Sequence, residues 1–167
     1  PEDLIDFENK VQIKADFKEG TVSTNDLIPF YGEFGKNQML NIKKTRLTGT
    51  LNDFRLHKAF IKGLDRSVIK GDIHIENALS DDVSKFKLEG EFTELATNYY
   101  DLINLLPELL GTSLPKELYK FGNVRAEGNA IVTRNVVDVD MDLFSHLGKV
   151  NAFVLLGKLN DVKNATY

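Results

Sequence analysis

Three observations predict a mainly β protein built on a curved antiparallel sheet with one apolar face and a short helical insertion. Lys85–Phe92 alternates without a break, Phe86, Leu88, Gly90 and Phe92 on one face and Lys85, Lys87, Glu89 and Glu91 on the other. That is the period of a half-buried strand. An X-polar-Gly-polar-X pattern recurs at Leu47–Leu51, Ile69–Ile73 and Ala126–Ala130. It places Gly49, Gly71 and Gly128, like Gly90, on the inward face, where a missing side chain lets a sheet bend and leaves room beneath it. The connections between such runs are too short for crossovers and predict a meander of hairpins.

Taken in order, Glu2–Phe7 is acidic and partly apolar and receives no assignment. Lys10–Phe17 alternates as a strand, Glu19-Gly20 reads as a turn, and Thr21–Asn25 as a short returning strand. Asp26–Gln38, with Pro29, Gly32 and Gly35, reads as a loop whose aromatics (Phe30, Tyr31, Phe34) tuck under the sheet. Met39–Leu51 is a long strand, Asn52-Asp53 a turn, and Phe54–Ile61 a strand with Phe54, Leu56 and Phe60 on one face and Lys58 interrupting the pattern. Gly63–Arg66 turns into Ser67–Glu76, and polar Asn77–Asp82 leads to the Lys85 strand.

Thr97–Leu110 is the clear helix: Tyr99, Leu102, Ile103, Leu106, Leu109 and Leu110 recur at helical spacing, with Thr97 or Asn98 as cap. Pro107 kinks or ends it and Gly111 stops it. A second short helix is predicted at Pro115–Lys120, capped by Ser113. Strands follow at Asn123–Thr133, Val136–Phe144 and Lys149–Leu156, with turns at Arg134-Asn135 and His146–Lys149; Lys158–Tyr167 is a candidate final strand. The series Gly49, Gly71, Gly90 and Gly128 suggests a weak internal repeat of one hairpin per step, with the helices inserted in the last interval.

At 167 residues, 42% hydrophobic and 28% charged, the chain reads as one globular domain, 1–167. A net charge of −4 with interspersed signs argues against nucleic acid as partner. The absence of cysteine excludes disulfides, thiolate metal sites and a cysteine nucleophile. The longest apolar cluster, Asp101–Gly111, is too short to span a bilayer and contains Pro107. With Pro1 first, the chain reads as a mature or excised piece of a larger protein.

His57, His74 and His146 show no i, i+4 pairing and no matching carboxylate pattern, and read as surface or edge histidines rather than metal ligands. Asp138, Asp140 and Asp142 share one strand face but lack the glycine turn and distal glutamate of a calcium loop, so they read as a solvated face. No nucleophile elbow or phosphate-cradling loop is present. The expectation is no catalytic residue, no cofactor, no metal and no enzyme. Acidic flanks (Glu94, Asp101, Glu108) make the apolar helix a core or lid element rather than a membrane-surface one.

The inward set is Leu47, Leu51, Ile69, Ile73, Ile75, Phe86, Leu88 and Phe92, then Ala126, Val137, Val139, Met141, Leu143, Val150, Ala152 and Val154. Periodicity leaves two uses of this face open: the closed core of a sandwich or barrel, slightly favoured on pattern alone, or an open groove for acyl chains.

The segment LPKELYKFGNVRAEGNAIVTRNVVDVDMDLFSHLGKVNAFVLL bears on that choice through Leu114-Pro115, Leu118, Phe121-Gly122, the Gly128 strand, Asp140–Leu143 and Leu147-Gly148-Lys149-Val150. It resembles the translocation and assembly module family, TamB, of the AsmA-like superfamily. The upstream LTGTLNDFRLHKAFI and SVIKGDIHIENAL segments and apolar Tyr100–Leu110 are similar too.

The resemblance implies a β-taco, a repeating β-groove rolled from the antiparallel sheet, with a helical insertion at about 97–121 as lid. It further implies a periplasmic bridge between the inner and outer membranes of a Gram-negative bacterium, with the parent protein anchored in the inner membrane. Its groove would shield phospholipid acyl chains during lipid transport and outer-membrane biogenesis. A scaffold or chaperone role in outer-membrane protein assembly is the alternative, through β-strand pairing that also permits edge-to-edge self-association. The family's N-terminal membrane helix and C-terminal domain have no counterpart here, so the chain reads as an internal segment; a barrel-assembly partner would bind through parts absent from it.

Overall fold

The structure, a computed structural model, describes residues 6–28, 34–80, 82–105, 107 and 114–157. Eight strands form one antiparallel sheet in chain order: β1 Ile13–Ser23, β2 Met39–Gly49, β3 Asp53–Gly63, β4 Ser67–Glu76, β5 Lys87–Asn98, β6 Asn123–Thr133, β7 Val136–Ser145 and β8 Gly148–Gly157. The sheet is open, with β1 and β8 as its edges. Among the described residues, the short helix α1 (Phe7–Lys10) precedes β1, and α2 (Thr24–Leu27), α3 (Tyr99–Leu105) and two 3-10 turns occupy connections. The protein is therefore mainly β, as the alternation predicts. The predicted positions of Pro29, Phe30, Tyr31, Gly32, Leu106, Glu108, Leu109, Leu110, Gly111, Ser113 and Lys158–Tyr167 lie outside the described residues.

Several boundaries differ from the sequence reading, each for a local reason. No turn forms at Glu19-Gly20: Glu19 pairs with Lys43 and Gly20 with Ile42 in one continuous β1, supported by a 3.0 Å Lys43–Glu19 ion pair. The strand stops at Ser23, whose hydroxyl accepts the Asn25 N–H while its own N–H donates to Asp26, capping α2. β2 ends at Gly49 because Thr50 and Asp53 exchange hydrogen bonds across the turn. β5 starts at Lys87, not Lys85, because the Asp82 carboxylate accepts both the N–H and the hydroxyl of Ser84 and closes a 3-10 turn.

β5 then runs on to Asn98, so the helix starts at Tyr99 rather than Thr97, with the Asn98 side chain accepting the Asp101 N–H. The second helix is a 3-10 turn, Lys116–Phe121, preceded by Pro115. Lys58 has φ 50°, donates its N–H to Asp72 and marks a bulge between Leu56 and Ala59. Beyond it the inward positions become Ala59 and Ile61, and Phe60 turns outward under the ammonium groups of Lys62 and Lys70. Further register shifts fall at Lys70/Gly71 and Phe92/Leu95, and a line of bulges bends a sheet.

Both ends of the sheet are tied by backbone and side-chain hydrogen bonds. At one end, Thr24 is fully buried and donates to Gly35 O, Gly35 N–H donates to Leu105 O, and Phe121 O lies 3.0 Å from His146 Nδ1. At the other, Asn52 N–H donates to Glu8 O while Asn52 accepts from Ala78 and Leu79. The apolar core is thin. Among the described residues only Ala59, Ile73, Ala126, Ala130 and Met141 are buried apolar side chains, with Phe92, Leu95, Val139 and Leu143 packed on the last three.

Candidate functional site

Register assembles the inward residues into rows that cross the sheet. One runs Ala15, Leu47, Leu56, Ile73, Gly90, Ala130, Val139, Val154; another runs Ala59, Gly71, Phe92, Gly128, Met141, Ala152. A third joins Ile42, Ile61, Ile69, Leu95, Ala126, Leu143 and Val150, and a fourth joins Phe54, Ile75, Leu88, Val132 and Val137. Of the sixteen predicted lining residues, fourteen therefore share one face. Leu51 sits in the β2–β3 turn and Phe86 just before β5, both half-buried.

This face is only partly covered. Ile73, Ala126 and Met141 are buried, but most of the remaining aliphatic side chains are half-buried, and Val150 and Val154 are exposed. The accessible surface, 11098 Å², exceeds by about a third the roughly 8,300 Å² expected of a compact monomer of this mass.

The glycine series divides. Gly49, Gly71 and Gly128 adopt φ of 122°, 153° and 139°, opposite Phe54, Phe92 and Met141 of the following strand. A Cβ at Gly71 or Gly128 would stand 2.9 Å from the facing Cα and closer still to a backbone oxygen, so only glycine fits that approach. These three lie on β2, β4 and β6, one per strand pair. Gly90 on β5 is outside this series: its φ is not positive, and the Phe92 ring lies over it, where a Cβ would sit.

The opposite face is charged. Arg46 pairs with Asp16 at 2.6 Å, and Lys149 with Asp142 at 2.8 Å. Lys70 reaches Glu94 at 2.6 Å, and its hydrogen bond holds the Glu94 carboxyl below the usual carboxylate range. Lys149 does the same for Asp142. Concavities on this side, one of them lined by Lys14, Lys18, Lys44, Arg46 and Lys58, follow from the saddle shape of a twisted sheet.

Sequence reasoning missed one cluster. His74 is not an edge or surface histidine: it lies on β4, inside the sheet, with its side chain 13% exposed, beside Asp53, Glu76 and Glu89. His57 and His146 are more open. The His74-x-Glu76 spacing on a strand was the visible signal; the contribution of Glu89 comes from register alone. Among the described residues no helix is long and apolar enough to cross a membrane. No family model, curated protein or solved structure matches the chain.

Proposed function

We propose that the chain is a non-enzymatic segment of a periplasmic, bridge-like lipid-transport protein of the TamB type, its apolar face shielding phospholipid acyl chains. The observation that carries this reading is the set of four apolar rows, continuous across the strands yet only partly covered. Such a face is apolar, and the described residues leave much of it half-buried rather than closed over. Acyl chains laid along it gain roughly 25 cal/mol for each Å² of apolar surface withdrawn from water, with no directional bonding to hold them in place. The α3 region, tied to the β1–β2 loop through Gly35, acts as the lid at one end.

Native mass spectrometry and lipid extraction of the purified chain test this. Phospholipid is expected to co-purify and to be lost on Leu88→Glu or Met141→Glu; recovery of a folded chain with no acyl lipid would overturn the reading. A second reading, a scaffold that pairs with client strands, is favoured by β8: among the described residues it is an edge strand, with Phe153 68% and Leu155 50% exposed, the template for strand addition.

A further inference from the structure

We propose that His74, Glu76 and Glu89 form a binding site for a divalent cation of the zinc class on the charged face of the sheet. The site is independent of whatever covers the apolar face. Three strands build it. His74 and Glu76 are two residues apart on β4 and so share a face. Glu89 of β5 stands in register opposite His74, and Asp53 of β3 opposite Glu76.

The histidine's two nitrogens have different surroundings. Nε2 lies 2.7 Å from Asp53 Oδ1, and because a carboxylate only accepts, the proton that serves this bond sits on Nε2. Nδ1 is buried and has no hydrogen-bond partner. Facing it are Glu76 Oε1 at 3.5 Å and Glu89 Oε2 at 3.6 Å. A buried nitrogen opposed by two carboxylates calls for positive charge between them, which a proton or a metal ion supplies.

The geometry matches a metal ion. One nitrogen and one oxygen from each glutamate lie within 4.8 Å of one another. Ligands 2.0–2.1 Å from a tetrahedral zinc are separated by about 3.4 Å, close to the two distances at Nδ1. Asp53 on the far nitrogen supplies the carboxylate that orients a metal-bound imidazole. One imidazole and two carboxylates suit zinc better than calcium or magnesium, which take oxygen ligands, and three protein ligands leave a fourth position for water. A concavity of about 440 Å³ over His74, Glu89, Asp72 and Arg55 gives access.

Lys87 is the built-in competitor. Its ammonium lies 2.6 Å from Glu89 Oε1 and 3.7 Å from Glu76 Oε1, compensating the same carboxylates that the ion needs. Bound metal displaces that ammonium, and removing it strengthens the site.

The test is calorimetric titration of the chelator-treated 167-residue chain with Zn²⁺ alone, with Co²⁺ absorption as a second readout. The expected result is one equivalent of Zn²⁺ bound and a visible Co²⁺ band of tetrahedral type. His74→Gln and Glu89→Gln abolish both. Asp53→Asn weakens binding about tenfold to a hundredfold, Lys87→Met tightens it, and His57→Gln and His146→Gln leave it unchanged. The Lys87→Met arm keeps the three ligands and requires a gain, so it does not depend on a destabilised variant folding. Absence of saturable Zn²⁺ binding in the parent chain, unchanged affinity in folded His74→Gln, or no tightening in Lys87→Met would each overturn the proposal.

Discussion

Asp101 is 2% exposed, and its carboxylate accepts the N–H groups of Asp65 and Arg66 at 3.2 and 2.9 Å and the Ser67 hydroxyl at 2.8 Å. One side chain thereby fixes α3 to the β3–β4 turn. Asp101→Ala leaves three donors without their acceptor, and a loss of about 3 kcal/mol is expected in urea unfolding. Asp101→Asn keeps one acceptor oxygen and should lose less. A change below about 0.5 kcal/mol for the alanine variant would show that water replaces the carboxylate at no penalty. In the sequence Asp101 reads only as an acidic flank of a helix, because its partners lie more than thirty residues away. The His74 cluster was hidden for the same reason: Glu76 is visible at two residues' distance, whereas Asp53 and Glu89 meet the ring only through strand register.

At the scale of elements, β4 and β6 were legible residue for residue because their alternation is bounded by clear turns. The misreadings arose where a residue has two uses. Gly20 is a common turn residue, yet here it continues β1 opposite Ile42. Lys58 looked like a flaw in a strand, yet it is the bulge that reverses the facing of Phe60. Of the two candidate helix caps, Asn98 serves, whereas Thr97 pairs with Val124 within β5. The edges differ in a way that can be tested. β1 alternates charges along its outer length (Lys14, Asp16, Lys18), a guard against pairing, whereas β8 presents Val150, Phe153 and Leu155. Phe153→Lys with Leu155→Lys is therefore expected to reduce self-association in sedimentation velocity while leaving the fold intact. The same association state before and after substitution would remove β8 as a pairing edge.

For the whole molecule, the governing fact is one sheet with two unlike faces. Photocrosslinking groups placed at Leu88 and Met141, on the apolar rows, are expected to label lipid several-fold more than groups at Lys87 and Asp140 on the other side; equal labelling would contradict the assignment of faces. Which face is apolar was legible from alternation; that it is only partly covered was not, since a strand buried in a closed core carries the same pattern. The topology has a further consequence. Each strand pairs with the one made just before it and the one made just after, so contacts stay local in sequence and most loops closed during folding are short, the β1–β2 and β5–β6 connections being the long ones. The sheet can grow by adding one strand at a time to its newest edge as the chain emerges, N-terminus first. Its stability is then a sum of neighbour terms along one dimension rather than the property of a single centre. Under load such a chain yields by unzipping, strand by strand, inward from an edge.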